Sequence, residues 1–173
     1  VTLHKKEIRQ QHKQQDTMKK AEELLGRLRR LGLTLATAES CTGGNIAHRI
    51  TLVPGASESF NGAVVSYTNQ VKSNLLGVET ETLRLYGAVS EQTVVQMARG
   101  VCSAVAADCA VATSGIAGPG GGTPKKPVGT VWIAARTPWR ETAMIRRFAG
   151  NREEIISQAT DAAINLLLEI LPL

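Results

Sequence analysis

Ser40, Cys41, Thr42, Gly43 and Gly44 stand in a row between an apolar run and a stretch with helical spacing. Ligands gather where strands end and helices begin in open α/β sheets. Backbone N–H groups at such a turn can hold an anion or a developing oxyanion, and glycine lets a substrate approach the main chain closely. Ser40 is then a candidate nucleophile. The same residues also make an ordinary strand-to-helix turn with a Ser or Thr cap. Cys41 competes with Ser40, although adjacent side chains point in different directions.

A serine nucleophile needs a base. Of the three histidines, His4 and His12 lie near the N-terminus and only His48 lies in the body of the chain. It is eight residues beyond Ser40, and a helical connection would separate the two by roughly 12 Å. A Ser-His-Asp triad is therefore disfavoured, and His48 reads as a helix-face residue. Beyond residue 30 the only lysines are Lys72, Lys125 and Lys126. The last two fall in a Gly/Pro loop, where they stay hydrated. Lys72 follows a strand end at the start of a short helix. Partial desolvation there would lower its pKa from about 10.4 toward ~7–8, the range a general base needs. An exposed helical lysine fits the same spacing.

Gly115 to Gly122 form a second glycine-rich segment after a strand. Its N–H groups could cradle a phosphate, or it could be a flexible connector. It is neither G-x-x-x-x-G-K-[ST] nor G-x-G-x-x-G. No cluster of His, Cys, Asp and Glu has metal-ligand spacing, so no metal is expected.

The elements that must position these residues follow from periodicity. Ala21, Leu24, Leu25, Leu28 and Leu31 recur at helical spacing, with Gly32 as the stop. Leu33 to Ala38, Phe60 to Tyr67 and Cys109 to Ser114 read as strands. Thr68 or Asn69 can cap a short helix that ends at Gly77. Ser90 can cap a helix over 91–106. Val128 to Arg136 and Glu141 to Phe148 read as paired strands. Asn151 and Glu154 have capping-box spacing for a last helix. Strands alternate with helices, and then two strands run in succession. This predicts a three-layer α/β/α sandwich with a mixed sheet.

The chain has 173 residues, 20 Lys+Arg against 15 Asp+Glu, and net charge +5. The whole excess lies within residues 1–30, and the rest is balanced. Residues 1–17 read as a basic arm, either solvated or a frayed helix. A nucleic-acid partner is expected only through that arm. No apolar run reaches the ~18–20 residues of a membrane span, and nothing resembles a secretory h-region. Aromatics at 3% are too few for a single-strand stacking platform. Three cysteines without a C-x-x-C pair fit a reducing cytoplasm.

Several segments together carry a resemblance. They are Ala38 to Gly44, Pro54-Gly55-Ala56-Ser57, Val65-Ser66-Tyr67-Thr68-Asn69 with Lys72, and Leu76-Gly77-Val78. Gly87 to Ser90, Ser114 to Gly121 and Pro127 to Val131 complete the set. In this order and spacing, over about residues 18–171, the chain resembles the CinA C-terminal domain family, the nicotinamide-nucleotide amidohydrolases of PncC type. The resemblance implies a domain over 18–173 that deamidates nicotinamide mononucleotide to nicotinic acid mononucleotide and ammonia, in pyridine nucleotide salvage. It implies a Ser/Lys mechanism without a cofactor, and a homodimer.

Carried over by position, Ser40 is the nucleophile and Lys72 the base. Ser57 and Tyr67 are supporting polar groups, and Thr42, Gly43 and Gly44 lie at the oxyanion site. Arg152 meets the substrate, and the loop with Gly115 and Gly118 shapes the nucleotide pocket. The chain departs from the family at Ile155-Ile156, where a second arginine is frequent. A different class of function is a non-catalytic competence- or DNA-damage-associated binding or regulatory module, or the C-terminal part of a two-domain protein.

Overall fold

The computed structural model describes the backbone of residues 2–173, and the side chains of Ile8, Gln11, His12 and residues 15–173. Five strands form one sheet: β1 (Leu35–Glu39), β2 (Phe60–Val65), β3 (Cys109–Gly115), β4 (Thr130–Arg136) and β5 (Glu141–Arg147). Their order is β2-β1-β3-β4-β5. β1 is parallel to β2 and to β3, and β3-β4-β5 is antiparallel. The expected mixed sheet is present. The helices are α1 (Thr2–Leu31), α2 (Asn45–Thr51), α3 (Asn69–Leu76), α4 (Thr80–Tyr86), α5 (Glu91–Val105) and α6 (Arg152–Ile170).

Two cores lie on the two faces of the sheet, as the period of two along a strand requires. Leu35, Cys109, Val111, Val131, Ile133 and Ala135 meet α1, α2 and α6. Ala36, Ala38, Ala110, Ala112 and Ala134 meet α3, α4 and α5. The fully buried strand residues of this second face are all alanine, with Val64 and Trp132 partly buried at its margins, so the helices pack close to the central strands. Gly100 of α5 marks the tightest approach, since a Cβ there would fall 1.8 Å from Leu76 O at the end of α3.

Burial of Ala21, Leu24, Leu25 and Leu28 anchors the second half of α1, each leucine contributing about 1.5–3 kcal/mol. The helix continues N-terminally to Thr2 through the polar segment. Most side chains of the 1–17 arm lie outside the described residues. Thr17 at its end is buried and donates to Asp161 of α6 at 2.8 Å. α6 opens with the expected Asn151–Glu154 capping box. The turn Ala56–Glu58 and α4 are elements the periodicity did not announce. Among the described residues, no helix is long and apolar enough to cross a membrane.

Candidate active site

The site lies at the C-terminal ends of β1 and β3, where the first sheet-to-helix turn begins. Alternation along β1 sends Leu35, Thr37 and Glu39 toward α2 and the next residue, Ser40, toward α3. Ser40 is held by its own N–H, which donates to Thr113 O at 3.0 Å.

Beneath it, Glu39 is fully buried. Its Oε2 accepts from Thr42 Oγ1 at 2.6 Å, Gly44 N at 3.0 Å and Ile46 N at 3.0 Å. Its Oε1 accepts from Ala47 N at 2.8 Å and Thr37 Oγ1 at 3.1 Å. The N-cap of α2 is Gly44 in the left-handed region, with φ 97°, and has no side chain to cap the helix. Glu39 does this from the strand below, and three otherwise orphaned helix N–H groups find an acceptor there. Thr113 Oγ1 completes the cluster at 2.8 Å from Thr42 Oγ1.

Lys72 comes from the opposite side. Thr68 caps α3 by accepting from Val71 N at 3.3 Å. A helical side chain leans toward the N-terminus of its own helix, which sends Lys72 back to the end of β2. Its Nζ lies 2.8 Å from Ser66 O and 3.1 Å from Ser40 Oγ. The side chain is only 2% exposed. Burial holds its amine below the ordinary lysine range. The Cys41 thiol is pushed up to about 12, chiefly by burial, so it stays protonated near neutrality.

Ser40 and Lys72 open into a cavity of about 310 Å³. Tyr67, Asn69, Ala88, Val89, Ile116 and Arg152 line it, together with Cys41 and the Gly115 to Gly121 segment. Arg152 Nη1 donates to Gly118 O at 2.6 Å and Nη2 to Tyr67 Oη at 2.7 Å. The cavity therefore joins Ser40, Lys72, Tyr67, Gly115, Gly118 and Arg152 from four separate stretches of sequence.

Three expected placements differ. Ser57 is exposed on the turn before β2, at the strand end remote from Ser40. β2 is six residues long, and at ~3.3 Å per residue it carries the chain about 20 Å to the site. Gly43 N donates to Ser40 O at 3.0 Å and Gly44 N to Glu39, so neither N–H is free for an oxyanion. Thr42 turns its hydroxyl to Glu39, away from the cavity. Cys41 N–H makes no backbone hydrogen bond, and Cys41 lines the cavity. Glu39 and Ser66 were given no role by spacing, and Asn69, expected only as an alternative helix cap, lines the cavity. A lone carboxylic residue at the end of an apolar strand was the available signal for Glu39.

Known proteins fit this geometry. The CinA C-terminal domain family matches residues 17–171. Nicotinamide-nucleotide amidohydrolase PncC of Escherichia coli K12 is 46% identical over 154 residues, covering 88% of this chain and 93% of that protein. A CinA-like protein of Syntrophobacter fumaroxidans is 46% identical over 145 residues, covering 84% of this chain. This chain spans only 34% of that relative's length. The crystal structure of the competence/damage inducible protein CihA from Agrobacterium tumefaciens superposes with a TM-score of 0.87 at 41% identity. That match covers 89% of this chain and 94% of the other. The family match over residues 17–171, the 46% identity to a relative covered to 93% and the shared fold place the chain in the CinA C-terminal domain family.

Proposed function

We propose that the chain is a nicotinamide-nucleotide amidohydrolase, releasing ammonia from nicotinamide mononucleotide by a Ser40–Lys72 mechanism. The observation that carries this reading is the 3.1 Å approach of a buried lysine amine to a serine oxygen at the floor of a cavity. The 46% identity to PncC over nearly its whole length supports the substrate class.

Ser40 Oγ attacks the carboxamide carbon as Lys72 Nζ takes its proton. A lysine lowered toward the working pH is matched to that task. The tetrahedral oxygen is stabilised by backbone N–H donors of the nucleophile's turn, Cys41 N–H among them, since Cys41 lines the cavity. Lys72 then delivers its proton to the departing nitrogen, and ammonia leaves. Water, deprotonated by the same amine, attacks the acyl-enzyme and releases the acid. Arg152, braced by Tyr67 and Gly118, supplies positive charge for the nucleotide phosphate.

Ammonia release from nicotinamide mononucleotide tests the reading. Ser40→Ala and Lys72→Ala are each expected to lower kcat by about 10³-fold or more, as in other nucleophile–base pairs. Unchanged turnover in both variants removes the Ser/Lys assignment, and no release by the unmodified protein removes the substrate.

A further inference from the structure

Ser66, one residue beyond β2, is fully buried, and its hydroxyl has no hydrogen-bond partner. Buried hydroxyls are nearly always paired, and each exception asks for an explanation. This one stands beside the reacting groups. Ser66 N–H donates to Glu39 O at 2.8 Å, which seats Ser66 next to the residue preceding Ser40. Ser66 O accepts from Lys72 Nζ at 2.8 Å, and the same nitrogen lies 3.1 Å from Ser40 Oγ. The hydroxyl and the carbonyl of Ser66 share one Cα. Rotation among the three staggered χ1 wells therefore sweeps Oγ past the neighbourhood of the carbonyl's own partner.

The proton inventory of Lys72 gives the hydroxyl a task. A neutral amine offers two N–H groups and a lone pair, whereas an ammonium offers three N–H groups and no lone pair. With the lone pair on Ser40 and one N–H on Ser66 O, the amine form is nearly satisfied. Protonation adds a donor in a buried place. The charged or titratable groups bordering that place are Cys41 from the turn after β1, Tyr67 before α3 and Arg152 from α6. Among the described residues, no Asp or Glu lines the cavity. Glu39 faces the other side of the sheet with five donors on it. The ammonium must therefore be held by neutral acceptors.

We propose that the Ser66 hydroxyl is the acceptor that Lys72 acquires on protonation, which makes Ser66 a positioning residue for the Ser40–Lys72 pair. This rests on the reading of Lys72 as the base. The hydroxyl is idle while the amine waits, and it is engaged once Ser40 has given up its proton.

The test is the titration of Lys72 itself, followed by NMR of the 13Cε signal in lysine-labelled protein and assigned by its loss in Lys72→Met. Ser66→Ala removes an acceptor for the charged form, so Lys72 should titrate lower, by about one pH unit. The melting temperature should hold or rise, because an unpaired buried hydroxyl has gone. kcat for ammonia release should fall several-fold with KM unchanged. Ser66→Cys, of similar volume and a poor acceptor, should behave as Ser66→Ala does. An unmoved Lys72 titration in these variants overturns the proposal. So does a lowered melting temperature with an unmoved titration, which assigns Ser66 to packing alone. The titration does not depend on turnover, so absence of amidase activity in the unmodified protein counts against the proposed substrate and leaves this comparison intact.

Discussion

Arg152 and Tyr67, 85 residues apart in sequence, meet at 2.7 Å, with the guanidinium donating to the phenol oxygen. The second arm of the same guanidinium donates to Gly118 O at 2.6 Å. One planar fork thus braces the glycine loop against the β2–α3 turn across the mouth of the cavity. A lysine cannot reproduce two parallel donors. Arg152→Lys should raise KM for the mononucleotide about tenfold and leave kcat nearly unchanged, the pattern of lost uniform binding. Steady-state kinetics on the two proteins decide it, and an unchanged KM would separate Arg152 from the substrate.

Lys72 should trade stability for chemistry. Its folded-state pKa is lowered by burial. Between that lowered value and the ordinary lysine range, the unfolded chain holds a proton that the folded chain has shed. Stability therefore rises with pH across this window and is lost as pH falls through it. Lys72→Met keeps the stem and removes the titration. The variant should be inactive, yet melt about 2–4 °C higher near neutrality. Its advantage should shrink as pH approaches the ordinary lysine range, which thermal melts at several pH values will show.

Glu39 should matter through what it organises. Glu39→Ala strands the N–H groups of Gly44, Ile46 and Ala47, of which Ile46 is fully buried, whereas the Thr42 hydroxyl keeps Thr113 Oγ1 as a partner. At about 1–3 kcal/mol for each unsatisfied group, partly relieved by relaxation, a loss of at least ~3 kcal/mol is expected. Glu39→Gln keeps one acceptor oxygen and should lose less. Denaturant unfolding of both variants measures the difference.

Gly100→Ala should act on the site from a distance. The added methyl would collide with Leu76 O, a backbone atom, so α3 has to move rather than a side chain. A stability loss of about 3 kcal/mol is expected. α3 carries Lys72, so kcat should fall at least tenfold in the protein that remains folded. A variant that loses stability but keeps kcat would show that α3 shifts without disturbing the dyad.

Thiol reagents should leave activity intact near neutral pH. The Cys41 thiol is buried and protonated up to about 12. Iodoacetamide treatment with mass mapping should find Cys41 unlabelled and turnover unaffected. Loss of activity in step with labelling at Cys41 would move the nucleophile from Ser40 to its neighbour.

Much of this architecture could be read from residue order, because each strand had apolar runs and each main turn had its own residue chemistry. The Asn151–Glu154 box and the Thr68 and Ser90 caps appear where side-chain chemistry put them. α4 escaped because seven residues with two buried positions, Thr82 and Leu83, carry too little periodicity. α1 extends beyond its apolar stripe because Lys, Gln and Glu favour helix without needing burial.

In the candidate site, Ser40 and Lys72 were singled out by residue type and position and Arg152 by the family resemblance, but the distances that bring them to one cavity depend on strand order. Ser57 was misplaced for the same reason, since a motif does not say which end of a strand it occupies. The oxyanion assignment failed at Gly43 and Gly44 because hydrogen-bond accounting needs coordinates. Glu39, the buried acceptor, had already claimed one of those N–H groups.

The sheet changes character at β3, parallel to β1 on one side and antiparallel to β4 on the other. Ser40 and Lys72 belong to the parallel half, whereas the segment from Ile116 to Gly129 bridges β3 and β4 and lines the cavity with its first residues, Ile116 to Gly121. The two proposed reacting groups and the loop that lines part of the cavity thus come from different halves of the sheet, with Arg152 tying the loop to Tyr67. For anyone wishing to retarget the enzyme to other amides, residues 116–128 are the place to vary length and composition. The machinery that breaks the bond can be left as it stands.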